Sequence, residues 1–231
     1  MTTRMEAVKR SGPTRLPRRE RARATHRRIV KAAYELFCEQ GYADTTMTQV
    51  AEAAGVAVQT VYFTFHTKAA LLARAYELAV GGEDEPRIPQ QQPWYAAMVV
   101  EPDLVQALRQ LVTGVGEIIR RVTPLYLVAR VTADSDPDTA QVLTFSERLR
   151  ADGYQGALEL LRAKAELRPG LSLERATDVL LLLLGRDAYH ALVHERGWSH
   201  EEWVDWTVSA VADQIFGRHL RDALEIPSSR S

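Results

Sequence analysis

The sequence predicts an all-α protein, with a small N-terminal domain of three short helices followed by a larger helical domain. Apolar residues recur at three- and four-residue intervals, as Ile29, Ala33 and Phe37 do. Helix-start signals are frequent, including capping boxes that begin at Thr46 and Ser199. β-Branched residues are scattered and do not alternate with polar residues over any strand-length segment. These observations favour helices throughout.

The composition is that of a soluble globular protein. The chain has 231 residues, of which 46% are hydrophobic and 26% are charged. No apolar run, including that from Val179 to Leu184, approaches the roughly 20 residues that span a bilayer. The N-terminus lacks the apolar stretch of a signal peptide, and the single cysteine, Cys38, excludes an intrachain disulfide and a cysteine-based metal cluster. We therefore expect a cytoplasmic protein without membrane contact.

Charge is distributed unevenly along the chain. Residues 1–70 carry 12 Lys and Arg against 6 Asp and Glu, whereas residues 71–231 carry 17 against 24. A basic N-terminal part on an acidic remainder suggests that the first part binds a polyanion such as nucleic acid. A positively charged, solvated tail would have the same composition.

The helix signals divide the chain into three parts. Residues 1–17 are predicted to be a basic flexible arm, residues 18–66 a small helical domain, and residues 67–231 a larger helical domain. The predicted helices span 18–40, 47–54, 58–65, 67–81, 102–121, 124–133, 137–166, 173–196 and 200–224. Pro102, Pro124 and Pro137 are assigned to first helical positions, with Thr123 and Asp136 as N-caps before the last two.

Residues 46–65 have the pattern of a helix-turn-helix. Two short helices flank a turn at Gly55, and helices of this length are stable only when they pack on other elements. In such a motif the second helix lies in the major groove of DNA. Its helical wheel turns Val61 and Phe65 inward, Gln59, Thr60 and Phe63 outward, and Tyr62 to the flank.

Residues 20–72 resemble the DNA-binding domain of the TetR family of transcriptional regulators. The matching residues are Ile29-Val30, Ala32-Ala33, Phe37, Gly41-Tyr42, Thr45-Thr46, Val50-Ala51, Ala53 to Val56, Thr60 to Tyr62, Phe65 and Lys68. The chain departs from the family pattern in three places. The family usually has Ser or Thr at position 57, Gly or Pro at 59 and an aromatic residue at 64, where this chain has Ala57, Gln59 and Thr64.

The motif and the resemblance together suggest DNA contacts. Thr46 and Thr48 begin the first motif helix, where hydroxyl and N–H groups suit a phosphate. The resemblance implies a phosphate contact for Tyr62, which could instead pack between helices, and for Lys68. The predicted base contacts are Gln59 to adenine, and Thr60 or Phe63 to a thymine methyl group. The arginines from Arg15 to Arg28 either follow the DNA backbone, enter a minor groove or remain solvated.

The resemblance also implies a homodimer, formed through the last two helices. Val179 to Leu184 is apolar on all sides, so this helix needs cover on more than one face. Trp203, Trp206, Val208, Val211 and Phe216 continue the apolar surface. Burial of all these residues within a single chain is the alternative.

Family members usually bind a small molecule in the larger domain. The candidate lining residues are Trp94, Tyr95, Met98, Tyr126, Arg130, Phe145, Arg148, Arg186 and Tyr189. Aromatic and methionine residues at helical spacing also form ordinary cores. The three arginines lie in or beside apolar segments, so each needs an intramolecular acid or an anionic ligand. The Pro-rich segment 81–102 is long for a connector, and we expect it to form a wall or lid of a cavity for a largely hydrophobic effector.

Two other classes of protein compete with this interpretation. Asp187, His190 and His194 share one helix face at a spacing seen in metal sites, but the HALVH segment lacks the glutamate of the zinc-protease motif. A sequence-independent architectural DNA-binding protein is the second competitor. We predict neither metal, cofactor nor enzymatic activity. The sequence favours a dimeric repressor of a palindromic DNA operator, released when a small molecule shifts the fourth helix.

Overall fold

A computed structural model describes residues 17–82 and 87–218, and every regular element in these ranges is helical. The predicted fold class is confirmed. The helices are α1 (Arg18–Gln40), α2 (Met47–Ala54), α3 (Val58–Phe65), α4 (Lys68–Gly81), α5 (Pro93–Val100), α6 (Leu104–Ala133), α7 (Pro137–Leu161), α8 (Leu173–Leu183), α9 (Arg186–Tyr189) and α10 (His200–Phe216). The predicted arm, residues 1–17, lies outside the described residues except for Pro17.

The first three helices form the predicted helix-turn-helix domain. Thr46 and Gln49 make the predicted capping box: the Gln49 N–H donates to Thr46 Oγ1 (3.2 Å), and the Thr46 N–H donates to Gln49 Oε1 (2.8 Å). Gly55 ends α2 at φ +63°, a left-handed conformation that favours glycine. Ala57 gives α3 no side-chain cap, so α3 depends on the burial of Val61 and Phe65.

The core of the N-terminal domain extends into α6. Val122, Leu125 and Ala129 of α6 are buried in one apolar cluster with residues of α1 to α4. The Tyr34 hydroxyl of α1 also donates to the carbonyl oxygen of Arg121 (2.8 Å). The two predicted domains therefore share a continuous core.

Helix α6 is longer than predicted. It begins at Leu104, where Asp103 accepts the N–H of Gln106 (2.9 Å), rather than at Pro102. It also runs through Pro124, so the predicted break there is wrong. The Thr123 hydroxyl donates back to the carbonyl oxygen of Ile119 (2.7 Å) and does not cap a new helix. An internal proline costs about 3 kcal/mol, and the buried neighbours on both sides offset that cost.

The C-terminal helices also differ from their predicted bounds. Helix α7 begins at the predicted Asp136–Pro137 cap but ends at Leu161 rather than 166. The predicted helix 173–196 is three pieces: α8, α9 and a π-helical turn, His190–Glu195. The helix is interrupted at Gly185, where a Cβ would lie 2.8 Å from the carbonyl oxygen of Leu182. Helix α10 ends at Phe216 instead of continuing to 224, and residues beyond 218 are not described.

A second apolar cluster fills the larger domain. Trp203 of α10 is fully buried at its centre and meets Tyr189 edge to face, with ring centroids 4.9 Å apart. Helices α6, α7, α8 and α10 surround this pair. Within residues 17–82 and 87–218, no helix combines the length and hydropathy that crossing a membrane requires.

Candidate functional site

The outer face of α3 is exposed, as the helical wheel predicts. The Phe63 side chain is 83% exposed and that of Tyr62 is 51% exposed. Gln59 is also exposed and Thr60 is half-buried at the flank, whereas Val61 is buried. A large aromatic ring that lies almost entirely in water indicates a surface for binding rather than for packing.

The start of α2 lies beside this face. Thr46 uses its hydroxyl within the chain, since it accepts the Gln49 N–H and lies 2.9 Å from Gln49 Oε1. Thr48 is exposed in the first turn of the helix. Of the two predicted phosphate contacts, Thr48 therefore has the more accessible hydroxyl.

Lys68 has a different role from the one that the resemblance implied. Its ammonium donates to three carbonyl oxygens of the α1–α2 connection: those of Tyr42 (2.7 Å), Ala43 (3.1 Å) and Thr45 (3.0 Å). It also lies 4.4 Å from the centre of the Tyr42 ring. Partial burial lowers the pKa of Lys68 from its ordinary value. Because an ammonium has three donors, none is left for a phosphate, and Lys68 instead fastens α4 to the DNA-binding domain.

A cavity of about 990 Å³ lies in the larger domain. Helices α4, α6 and α7 form its long walls, and the segment from Arg87 to Tyr95 covers one end. Ile88, Phe145 and Leu149 stand at its rim, each more than half exposed. Its size and mainly apolar lining are typical of small-molecule sites. The inner walls include Ala70, Ala73, Tyr76, Val80, Leu111, Val115, Ile118, Ile119, Val122, Val142, Tyr154 and Ala157.

The structure brings four of the nine predicted ligand residues to this cavity, namely Trp94, Tyr95, Phe145 and Arg186. The other five lie elsewhere, so their assignment is corrected. Met98 and Tyr189 are buried in the core of the larger domain. Tyr126 and Arg130 both bind the carboxylate of Asp187, at 2.9 and 2.6 Å. Arg148 is exposed on α7. Sequence spacing predicted that these residues share a domain, but not which helix face reaches the cavity.

Of the three candidate arginines, Arg186 is the buried one, and its partner lies within the chain. It is 5% exposed, forms an ion pair with Glu147 of α7, and stacks 4.2 Å above the centre of the Tyr126 ring. Glu147 also accepts two hydrogen bonds from Arg150, at 3.1 and 2.7 Å. Burial lowers the pKa of Arg186. The partner of the buried guanidinium is therefore an acid of the same chain, and one carboxylate serves two arginines at the cavity wall.

The Trp94 ring packs directly against Gly114, which has no side chain. The Trp94 ring lies so close to Gly114 of α6 that a Cβ at this position would overlap it. The close approach brings the indole onto α6 as part of the cavity wall. Sequence analysis missed Gly114, Glu147 and Arg150. An isolated glycine within a helical pattern is the one available signal for such a contact.

The candidate metal ligands do not converge. In the part of the chain that the structure describes, no three His, Cys, Asp or Glu side chains are placed to hold a metal ion. Asp187 is engaged with Arg130 and Tyr126. The His190 and His194 rings lie 5.4 Å apart on the π-helical turn, and His190 Nε2 is 3.5 Å from Glu195.

Helix α4 connects the cavity to the DNA-binding domain. Residues along its whole length, from the N-cap Thr67 to Gly81, line the cavity. Its first residue, Lys68, follows the last residue of α3, Phe65, after a two-residue joint. One helix therefore lines the cavity and contacts the N-terminal domain.

Comparison with known proteins gives a consistent result. Residues 29–75 match the model of the bacterial regulatory proteins of the tetR family. The chain is 26% identical over 190 residues to the HTH-type transcriptional repressor BepR of Brucella suis, covering 78% of this chain and 88% of BepR.

Solved structures share the fold at lower identity. NalD of Pseudomonas aeruginosa, the secondary repressor of the MexAB-OprM multidrug efflux pump, has a TM-score of 0.60 at 20% identity and covers 87% of this chain and 99% of its own. FadR of Bacillus subtilis in complex with stearoyl-CoA has a TM-score of 0.61 at 18% identity, with 83% and 98% covered. With the helix-turn-helix and the all-helical second domain, these matches lead to one conclusion: residues 29–75 form a DNA-binding region of the tetR type, and the chain shares the fold of the solved regulators.

Proposed function

We propose that this chain is a ligand-responsive repressor that binds a palindromic DNA operator as a homodimer and leaves it when a small molecule occupies the cavity. One observation carries the proposal. Helix α4 forms a wall of the cavity along its length, and its N-terminus is fastened to the helix-turn-helix domain by Lys68. A ligand that displaces α4 therefore displaces the DNA-binding domain.

The contacts around α4 favour movement as a unit. Thr67 caps its first turn by accepting the Ala70 N–H at 3.0 Å. His66, the residue between α3 and this cap, has φ +59°, a conformation that non-glycine residues rarely adopt. At the other end, Arg121 of α6 donates to the carbonyl oxygens of Ala79 (2.8 Å) and Val80 (3.5 Å). A ligand acts here only through different affinities for the two positions of α4.

Binding of DNA is assigned to the exposed face of α3. Gln59 would pair with an adenine edge in the major groove, while Thr60 or Phe63 would meet a thymine methyl group. Tyr62 at the flank and Thr48 at the start of α2 would contact phosphates. These contacts suit one half-site, and two half-sites one helical turn apart require a dimer.

Dimerisation is assigned to α8 and α10. Leu182 of α8 is 71% exposed in the single chain, although it lies within an apolar run. Trp198 and Trp206 are half-buried and pack edge to face, 5.9 Å apart, near the start of α10. A partner that covers these residues would remove apolar surface from water.

The proposed effector is a largely hydrophobic molecule. The apolar walls and the exposed apolar rim favour such a ligand. Arg186 and Arg150 share Glu147, so the charges of these two lining arginines are already balanced in part within the chain. The B. subtilis relative holds stearoyl-CoA, which supports a long apolar ligand as one class to test.

The test is to titrate the purified chain with apolar compounds and record three quantities together: release from DNA, melting temperature and tryptophan fluorescence. One binding event should change all three at the same ligand concentration. Trp94→Phe should remove most of the optical change and keep the release. A ligand that raises the melting temperature but leaves DNA bound would contradict the proposed mechanism.

A further inference from the structure

A groove separates the first turns of α1 from α3. Arg18, Arg21 and Thr25 line it on the α1 side, together with Ala22, His26 and Ile29. Thr60 and Thr64 line it on the α3 side. The groove is open, with a volume of about 560 Å³. It therefore lies along the side of the helix that is proposed to read DNA bases.

The groove is positively charged. Among the described residues that line it, two are arginines and none is acidic. Both guanidinium groups are on exposed side chains. The nearby acid Glu77 pairs with Arg74 at 2.6 Å.

His26 adds no charge to the groove near neutral pH. Its ring packs on that of Phe65, with centroids 4.9 Å apart, and burial lowers its pKa. The charge of the groove is consequently that of its arginines. Thr25, Thr60 and Thr64 add hydroxyl groups, although Thr64 donates to the carbonyl oxygen of Thr60 at 2.7 Å.

The groove and Tyr62 lie on opposite flanks of α3. On the α3 helical wheel, Thr60 and Thr64 share one flank, while Gln59 and Tyr62 lie toward the other. A helix in the major groove has one phosphate strand along each side. Tyr62 would serve one strand, so the other strand would pass the arginine-lined groove.

We propose that this groove binds a backbone phosphate of the DNA strand opposite to the one met by Tyr62. The planar guanidinium of Arg21, with Arg18 beside it, suits the oxygens of a phosphate, and the Thr25 hydroxyl adds a further donor. The contact is independent of base sequence and fixes how deeply α3 enters the groove. The inference rests on the proposed binding of DNA by α3.

The chain offers a matched control for the test. Arg27 is exposed on α1 and lies about half a turn around the helix from Arg18, away from the groove. Arg21→Gln and Arg27→Gln remove the same charge from the same helix. Both side chains are exposed, so the melting temperature should change little in either variant.

The measurement is affinity against salt concentration, on a short duplex that the wild-type chain selects from random sequence. For Arg21→Gln, the slope of log affinity against log salt should fall by roughly 0.9 per lost phosphate contact, or about 2 for the two subunits of a dimer. Arg27→Gln should keep the wild-type slope. Equal slopes in the two variants would overturn the groove as a site. Failure of the wild-type chain to select any duplex would overturn the proposed DNA binding itself.

A second measurement locates the phosphate. Single phosphates of the duplex are replaced in turn by neutral methylphosphonates, and the affinity of each variant is measured. One replacement on the strand opposite to the one met by Tyr62 should weaken the wild-type chain and Arg27→Gln, but not Arg21→Gln. If Arg21→Gln responds to every replacement as the wild-type chain does, the groove holds no phosphate.

Discussion

The DNA-binding face and the cavity are built in opposite ways. The exposed face of α3 and the start of α2 come from residues 46–65, and their side chains point into water. The cavity takes its walls from residues between Thr67 and Arg186, and many of these also belong to a hydrophobic core. Substitutions on the face should therefore change binding alone, whereas substitutions in the wall should change binding and stability together.

Helices α4 and α6 contribute residues both to the cavity and to the core of the N-terminal domain. Tyr76 and Val122 line the cavity and also lie in the core that the DNA-binding domain shares. The two regions are thus separate surfaces on one packed structure. This arrangement makes communication between them a matter of packing, without a flexible linker.

The largest expected effect tests this shared core. Leu125→Ala removes a fully buried side chain of α6 from the core of the N-terminal domain. The free energy of unfolding of the variant should be lower than that of the wild-type chain by about 2–5 kcal/mol. Thermal unfolding followed by circular dichroism should still show one transition, at a lower temperature. Two separate transitions would mean that the two regions fold independently.

The next effect concerns Glu147, the carboxylate that pairs with two arginines of the cavity wall. Glu147→Gln leaves the buried guanidinium of Arg186 without its counter-charge, and the half-exposed position of Glu147 moderates the cost to about 1–3 kcal/mol. Asp187→Asn breaks the exposed pair with Arg130 and serves as the control, with an expected loss below about 1 kcal/mol. Chemical denaturation measures both. Equal losses of unfolding free energy in the two variants would show that the burial of Arg186 does not strengthen its ion pair.

The third effect compares a glycine that contacts the cavity wall with a glycine that has free space around it. Gly114→Ala forces the Trp94 ring away from α6, and we expect a loss of about 1–3 kcal/mol with a shift of tryptophan emission. Gly156 lies within α7 with no atom near its missing Cβ. Gly156→Ala should stabilise the chain by roughly 0.5–1 kcal/mol and leave the emission unchanged. Unchanged emission in Gly114→Ala would contradict the described contact.

The smallest effect tests the exposed region. Lys68→Met removes three hydrogen bonds to the α1–α2 connection but keeps the length of the side chain. Unfolding should become easier by about 1–2 kcal/mol. The salt dependence of DNA binding should stay that of the wild-type chain, because Lys68 has no donor left for a phosphate. A reduced slope would restore the phosphate contact that the family resemblance implied.

Local patterns explain why the DNA-binding region could be predicted from the sequence. The capping box at Thr46, the turn at Gly55 and the inward positions Val61 and Phe65 depend on residues a few positions apart. Such short-range rules also gave the fold class and the caps at Asp136 and Ser199. The resemblance was less reliable for Lys68, whose partners lie 23 to 26 residues earlier in the chain.

Long-range contacts explain where sequence reasoning failed. Pro124 predicts a helix start, but burial of the residues before and after it keeps α6 continuous. The run from Val179 predicts one long helix, but α8 ends where Arg150 and Tyr154 of α7 donate to the carbonyl oxygen of Leu184. Local preferences of about 1–3 kcal/mol are overridden when tertiary packing contributes more.

By itself, the sequence determined the helical class, the helix-turn-helix and the face of α3 that meets solvent, because helical periodicity encodes them within a few turns. Only the tertiary structure decided that Glu147 neutralises Arg186, that Gly114 positions Trp94, and that Tyr189 belongs to the core. The physical reason is distance along the chain. A cavity wall forms where helices far apart in sequence pack together, and their relative rotation is fixed by the whole core.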